Sequence, residues 1–555
     1  MFKYLLEKVF CQVFLSLVFI LFTSHFLVYT SCVHKHNKKF LIQDTTLYSP
    51  TKFTDLTIDR SKFVTYLEKF NIDSNICEDI LSFYERRENQ FAWFTENGIS
   101  EAAVNFSNLV DLYKLQLGDS TIKLDLLDQI YEKLNHDSNY FYKHPEEIYN
   151  VEFFLTTSFF NYAHKAYSGI YKNPKDLEWY IPRRKKNYDH LLESIVKKDK
   201  DFSKYEPINP FYQSLRTKLI YLKSIFPQLT ELHEEIKSLQ FSNLPVDSIP
   251  KSIINYLKLL DEYSYDQYDC PLFSNYIQSY QKHHGINGSG QLDSITLSTL
   301  QISPDDILKK IIINMERMRW LTDTIPNRFI LVNIPDYKLF VFDSSKYQWE
   351  MKVVVGKSIH ATNIFAGNME YLVFSPYWNI PPSIIKNEIL PSLKKDQNYI
   401  NRNEMEVLSG NEVLNSRSIN WKKYKDNVPF TIRQKPGPKN ALGKIKFIFP
   451  NNFNIYLHDT PAKSLFTEQK RGFSHGCVRL AEPLKLAEYL LSYNSSELKK
   501  IYNSDKEMKV ILPHPISVLI CYFTAWVDIN GNLNTREDLY RHDEKLEREI
   551  FGKVK

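Results

Sequence analysis

Cysteine is scarce in this chain. Six occur in 555 residues, at positions 11, 32, 77, 270, 477 and 521. Two lie in or beside an N-terminal apolar run, and the spacing of the rest fits neither a disulfide framework nor a zinc cluster. A bridge between Cys77 and Cys270 is the one pairing left open. Charge of one sign is not in excess either. Lys and Arg number 70 against 65 Asp and Glu, a net of +5, too slight over this length to point to nucleic acid. The basic run Arg183 to Lys186 is too short to change that. Beyond the N-terminus, membrane-like stretches are lacking as well. Val518 to Val527 is apolar but too short to span, and it carries Tyr522 and Thr524. What remains, 43% apolar and 24% charged residues, is a globular chain too long for one ordinary core. Tyr and Phe are abundant, at 36 and 37, and no function attaches to that.

The N-terminus is the exception to the missing apolar runs. Lys3 and Lys8 precede Val9 to Tyr29, which is uncharged and long enough to cross a bilayer. Residues 1–32 are therefore expected to be a signal anchor, with a cleaved secretory signal as the alternative. Lys35, Lys38 and Lys39 make both flanks basic, so orientation is not readable. Residues 33–60 form a polar linker. Apolar positions at helical intervals, such as Phe63, Tyr66, Leu67 and Phe70, predict a helical region over 61–252. Its aromatic-rich stretch Val151 to Tyr167 is expected to be a core helix. A smaller helical unit follows at 253–302, with Tyr280, Gln281, His283-His284-Gly285, Gly288, Gly290, Thr296 and Leu300. His283 and His284 are read as turn or surface histidines, since no cluster of ligand spacing accompanies them.

A connecting helix at 303–326, with its periodic core from Asp305 to Trp320, ends the helical part. After Pro326 the period changes to two. Arg328 to Ile334 and Tyr337 to Asp343 predict a hairpin around Pro335-Asp336, and Gln348 to Val355 a further strand. A mostly β domain is expected over 327–515, interrupted by an insertion at 376–430 that contains Trp378 and Trp421. A C-terminal extension occupies 516–555, with a late strand at Val518 to Val527. The fold class is multidomain α+β.

The chemistry concentrates between Asn451 and Leu480. Phe453, Ile455 and Leu457 alternate with Asn454, Tyr456 and His458, as in a strand. A polar loop follows, then Ser474-His475-Gly476-Cys477-Val478-Arg479. His458 precedes Cys477 by 19 residues, close enough for an imidazole to serve a thiol across a loop. Gly476 permits a sharp turn beside the sulfur, where backbone N–H groups would face a developing oxyanion. Strand alternation points the Asp459 side chain away from His458. A backbone carbonyl or an ordered polar group is therefore as good a candidate as Asp459 for orienting the imidazole.

This segment resembles the L,D-transpeptidase family, whose mark is a strand-borne His followed by Ser/Thr-His-Gly-Cys, a hydrophobic residue and Asn/Arg. Arg433, Pro436-Gly437-Pro438, Asn440-Ala441-Leu442-Gly443 and His458-Asp459-Thr460-Pro461 resemble its large periplasmic branch. In that light, 61–252 resembles a helical scaffold, 253–302 a peptidoglycan-binding module, 327–515 a β-sandwich catalytic domain and 376–430 a substrate-capping lid. The resemblance implies Cys477 as nucleophile, His458 as general base and acid, and His475 and Gly476 at the oxyanion or in support of the turn. Tyr456, Ser474, Arg479 and Trp378 are candidate substrate-binding residues, with a loop salt bridge as the other reading of Arg479.

The implied reaction is formation of 3→3 peptidoglycan cross-links, by acyl transfer from a tetrapeptide stem to a diaminopimelate amine. It calls for no metal and no organic cofactor. L,D-carboxypeptidase activity, ligation of a lipoprotein to peptidoglycan and non-catalytic wall binding are the alternatives. Implied partners are tetrapeptide stems, wall-synthesis proteins, the inner membrane through residues 9–29, and carbapenems as covalent inhibitors. The implied location is the periplasm of a diderm bacterium.

Overall fold

The computed structural model describes residues 57–552 apart from 71, 96–97, 119–120, 170–172, 184–185, 198–201, 240–249, 262–269, 492 and 494. The apolar run 9–29 lies outside these residues. Among the described residues, no helix is long and apolar enough to cross a membrane. Cys77 is half-buried, its thiol donating toward the Ile72 carbonyl at 3.5 Å. The side chain of Cys270 lies outside the description, so the Cys77–Cys270 pairing does too.

The N-terminal part is helical, and its core is aromatic. Helix Pro145–Ala163 runs through the middle and buries Phe153, Phe159, Phe160 and Tyr162. Glu152 of that helix is fully buried. It accepts from the Ala92 and Trp93 amides and from the Tyr84 hydroxyl, which answers the need of a buried polar group for partners. The smaller unit contains helices Lys251–Asp261, Cys270–His283 and Ser294–Leu300. Buried Gln281 closes its Gly-containing turn, donating to Gln291 and Thr296 and accepting from the Gly290 amide.

Helix Pro304–Arg319 joins the parts. Ser303 caps it, accepting the Asp306 amide at 3.1 Å, and Pro304 fills the first position, where a missing N–H costs nothing. It buries Arg317 against Asp543 at 2.5 Å and Arg319 against Glu316 at 2.9 Å.

The C-terminal part is built on nine strands: β1 (Phe329–Asn333), β2 (Lys338–Asp343), β3 (Lys346–Gly356), β4 (Ala366–Phe374), β5 (Ile445–Ile448), β6 (Leu457–His458), β7 (Gly472–Ser474), β8 (Val478–Leu480) and β9 (Met508–Cys521). Their order is β7-β3-β8-β6-β5-β4-β9-β1-β2, and β2 also pairs with β3. The sandwich expected from the resemblance is thus one sheet curled back on itself, which leaves few open edges.

Two local expectations change. The alternation from Phe453 to His458 yields a strand only at Leu457–His458, because Asn454 takes φ 55° and leaves the extended region. The late strand begins earlier, at Met508, and ends at Cys521; Ala525–Val527 is a separate strand.

The insertion has its own small sheet, from Trp378–Asn379, Met405–Ser409, Glu412–Leu414 and Thr431–Gln434. Ile380, Leu390, Leu393, Val407, Trp421 and Ile432 form a core separate from the main one. Trp421 is part of that core, with its indole N–H donating to the Ser416 carbonyl at 3.0 Å.

Candidate active site

β6 pairs parallel to β8, with His458 opposite Arg479 and Leu457 opposite Val478. The β8 strand begins directly after Cys477. Leu457 and Val478 point into the core and are fully buried. Tyr456, His458, Cys477 and Arg479 are left on the other face, where they line a cleft of about 940 Å³. Trp378, Pro382, Ile384 and Glu388 of the insertion form its opposite wall.

His458 is 4% exposed. Its Nδ1 hydrogen-bonds the carbonyl oxygen of Asp459 at 2.5 Å, which makes Nε2 the basic atom of the ring. Burial, reinforced by the Arg479 charge, pushes the imidazole down to about 3. The Asp459 carboxylate faces away. It takes the Lys444 amide at 2.8 Å, the Thr460 amide at 2.7 Å and the Lys463 ammonium at 2.6 Å. Gly443, at φ +62°, makes room for it; a Cβ there would lie 2.4 Å from that carboxylate.

Cys477 is half-buried, and its thiol donates toward the Asn454 carbonyl at 3.7 Å. Burial raises the thiol. The Tyr456 amide and hydroxyl and the Lys446 and Arg479 charges pull it back. Gly476 holds φ +114°, a conformation open to glycine. Its N–H donates to Ser474 Oγ at 3.1 Å, and Ser474 in turn donates to the Cys477 carbonyl at 2.5 Å. Both residues are spent on the turn, and Gly476 does not line the cleft. His475 instead faces the insertion, its Nε2 at 2.7 Å from Glu388 Oε1 and its ring 5.2 Å from that of His360.

Arg479 is half-buried. It lies within electrostatic reach of Cys477, and among the described residues its Nε is buried without a hydrogen-bond partner. The loop salt bridge considered for it is not formed among the described residues. Tyr456 meets His458 edge-on at 5.7 Å, and its hydroxyl interacts with the Trp378 and Cys477 side chains.

Several contributors were given no role from the sequence, although Tyr540 with Asp543 resembles the family's terminal motif. Lys446 sits in β5 opposite His458. Glu388 reaches in from the insertion. Tyr540 braces the turn from the C-terminal extension: its hydroxyl donates to the Gly356 carbonyl at 2.7 Å and accepts the Thr362 amide at 3.2 Å. Thr362 Oγ1 donates to the Gly476 carbonyl at 2.8 Å. Lys446 left a further signal, as a charged residue between Ile445 and Phe447.

His283 and His284 lie far from this cleft. The His284 ring bonds Thr535 Oγ1 at 2.7 Å and stacks on Tyr280 at 4.0 Å. Among the described residues, no three His, Cys, Asp or Glu side chains gather into a metal-holding group.

Residues 327–511 match the family model of the L,D-transpeptidase catalytic domain (YkuD), and residues 78–219 match that of the Scaffold domain. The catalytic part of the chain, residues 327–511, belongs to the L,D-transpeptidase family. It is 32% identical over 245 residues to a Haemophilus influenzae protein named "Putative L,D-transpeptidase", a match covering 43% of this chain and about half (49%) of that one. Similar solved structures include an L,D-transpeptidase from Mycobacterium smegmatis, 11% identical, covering 35% of this chain and 58% of that one at TM-score 0.18. Another is an L,D-transpeptidase (Yku) from Stackebrandtia nassauensis, 14% identical, covering 53% and 90% at TM-score 0.19. Those scores are too low for either to inform the fold. The family's catalytic domain thus coincides with the curled sheet, whose cleft is lined by Cys477 and His458.

Proposed function

We propose that this L,D-transpeptidase forms 3→3 cross-links in peptidoglycan, with Cys477 as the acyl carrier. The observation that carries the reading is one cleft that brings a thiol, a neutral buried imidazole and unpaired cationic side chains together beneath a separately packed insertion.

His458 Nε2 takes the proton of the Cys477 thiol, and the sulfur attacks the carbonyl carbon between the L-centre of diaminopimelate and the terminal D-Ala. The C–N bond breaks, D-Ala leaves with the proton returned by His458, and a thioester remains. The side-chain amine of a second stem's diaminopimelate attacks that thioester. It gives its proton to His458, an amide forms and the thiol is restored. In this reading Arg479 meets a stem carboxylate, Tyr456 and Trp378 pack against the peptide, and His475, turned to Glu388, supports the turn that carries the thiol. The insertion acts as a lid that restricts water at the thioester. The work is done in the periplasm, where the wall is.

The test is incubation of the protein with defined tetrapeptide muropeptides, followed by mass spectrometry. The expected product is a 3→3 dimer, absent with Cys477→Ala. Release of trimmed tripeptide alone would assign a carboxypeptidase, and wall binding without any product would assign a binding role. A carbapenem is expected to add its mass to the intact protein through Cys477. An adduct of equal yield on Cys477→Ala would contradict that assignment.

A further inference from the structure

A thiolate buried in a cleft needs a positive partner, and the obvious one is missing here. His458 is sealed from water, gives Nδ1 to a carbonyl and lies beside Arg479, so an imidazolium at this position is disfavoured. His475 is turned to Glu388 of the lid.

Lys446 is differently placed. It is half-buried in β5, opposite His458, and its side chain lines the same cleft. Its ammonium lies 3.9 Å from the centre of the Tyr456 ring. That ring's hydroxyl and the Tyr456 amide both bear on the Cys477 sulfur. Cys477, when ionised, and Glu507 are the groups that favour the charged form of Lys446. The nearby carboxylates are otherwise engaged, Glu388 with His475 and Asp459 with Lys463.

We propose that Lys446 supplies the positive charge against which the Cys477 thiolate forms, so that His458 need only relay the proton in passing and not hold it as the thiolate's counter-charge. This deepens the reading of Cys477 as acyl carrier and rests on it. Burial raises the thiol while Lys446 and Arg479 oppose that rise. Lys446 is itself held down by burial, which Cys477 and Glu507 offset only in part. The Tyr456 ring gives the ammonium a face to rest on within the cleft. The titratable or charged groups around Cys477 are Lys446 from β5, Tyr456 just before β6 and His458 within it, Arg479 from β8, His475 from its own turn, Lys357 and His360 from the segment after β3, and Glu388 from the insertion.

The experiment is alkylation of the full chain by iodoacetamide across a pH series, with modification resolved by peptide mass spectrometry. The rate at Cys477 is compared for the wild type, Lys446→Gln and Lys446→Arg. Buried Cys521 in β9 reports in the same samples whether the sheet stays folded. Lys446→Gln is expected to raise the midpoint of the Cys477 profile by about one pH unit and to slow alkylation at neutral pH roughly tenfold. Lys446→Arg should stay near the wild type. An unmoved midpoint in Lys446→Gln, with Cys521 still protected, overturns the proposal. Should Lys446→Gln expose Cys521, the decision passes to Lys446→Arg, whose charge-preserving profile must then coincide with the wild type or the proposal fails. No wall substrate enters this measurement. A shifted midpoint in a protein that makes no dimers sinks the transpeptidase reading alone, and an unshifted midpoint in one that does make them sinks the role of Lys446 alone.

Discussion

Asp459 serves the site with its main chain, and that choice has a measurable consequence. In Ser-His-Asp machinery, neutralising the carboxylate that orients the histidine costs about 10⁴ in turnover, through the wrong tautomer. Here the Asp459 carbonyl accepts from His458 Nδ1 at 2.5 Å, and the carboxylate is committed to Lys463 and two backbone amides on the far side. Asp459→Asn keeps the carbonyl and one side-chain acceptor. It is therefore expected to lower dimer formation by less than about tenfold. The stability cost should be on the order of 1 kcal/mol, since the lost ion pair has a half-exposed lysine. Steady-state rates and a thermal melt on the purified variant check both. A fall in turnover near that of a dismantled triad would show that the carboxylate orients the ring after all. The direction of the Asp459 side chain was legible in the alternation around His458. Which of the two candidate orienters acts was not, because it depends on where the chain turns at Thr460.

At the scale of elements, the thiol and the imidazole were legible and their registration was not. The motif Ser474 to Arg479 and the strand-borne His458 mark the site in sequence, and helix Pro304–Arg319 and the β1–β2 hairpin stand where their periodicities end. The parallel pairing of β6 with β8 is different. It is fixed by a polar loop that carries no period, and only that pairing places Tyr456 beside Cys477 and His458 beside Arg479. Lys446 entered the site through the same kind of long-range register. The lid shows the opposite balance: its two tryptophans were visible, but its contact with the catalytic turn, through Glu388 and His475, was not.

That contact is shallow, with the Glu388 side chain 50% exposed. Exposed pairs stabilise by about 0–1 kcal/mol. Glu388→Ala is thus expected to leave the melting temperature nearly unchanged. It should speed amide hydrogen exchange in the lid segment 382–395 and raise the tripeptide-to-dimer ratio a few-fold. Exchange and product ratio both equal to wild type would mean that the lid is held by its own packing alone.

For the molecule as a whole, the joints between parts carry buried titratable groups, and these set how stability should change with pH. His284 sits between the small helical unit and the C-terminal extension, His458 in the cleft, and His542 at the start of the last helix, where neither ring nitrogen has a hydrogen-bond partner. Each is pushed down to about 3, by burial first and then by Arg536, Arg479 and Arg317 respectively. An unfolded histidine titrates near 6.5. Below that value the unfolded chain binds protons that the folded chain refuses, so stability is full above about 6.5 and lost as pH falls toward 3.

Glu152 opposes this. Burial raises it to about 7 against the Ala92 amide, the Tyr84 hydroxyl and the Trp93 amide. Its contribution is present below the ordinary carboxylate value and lost as pH rises through 7. Three histidines against one glutamate leave a net uptake of two protons on unfolding between about 4.5 and 6.5, or roughly 2.7 kcal/mol of lost stability per pH unit. Denaturant midpoints measured across that window should fall steadily with acid. His284→Gln, which removes one of the three without touching the cleft, should flatten the slope by about one proton, or roughly 1.4 kcal/mol per pH unit. A wild-type midpoint that holds level through the window would mean that these rings gain their protons without the parts separating.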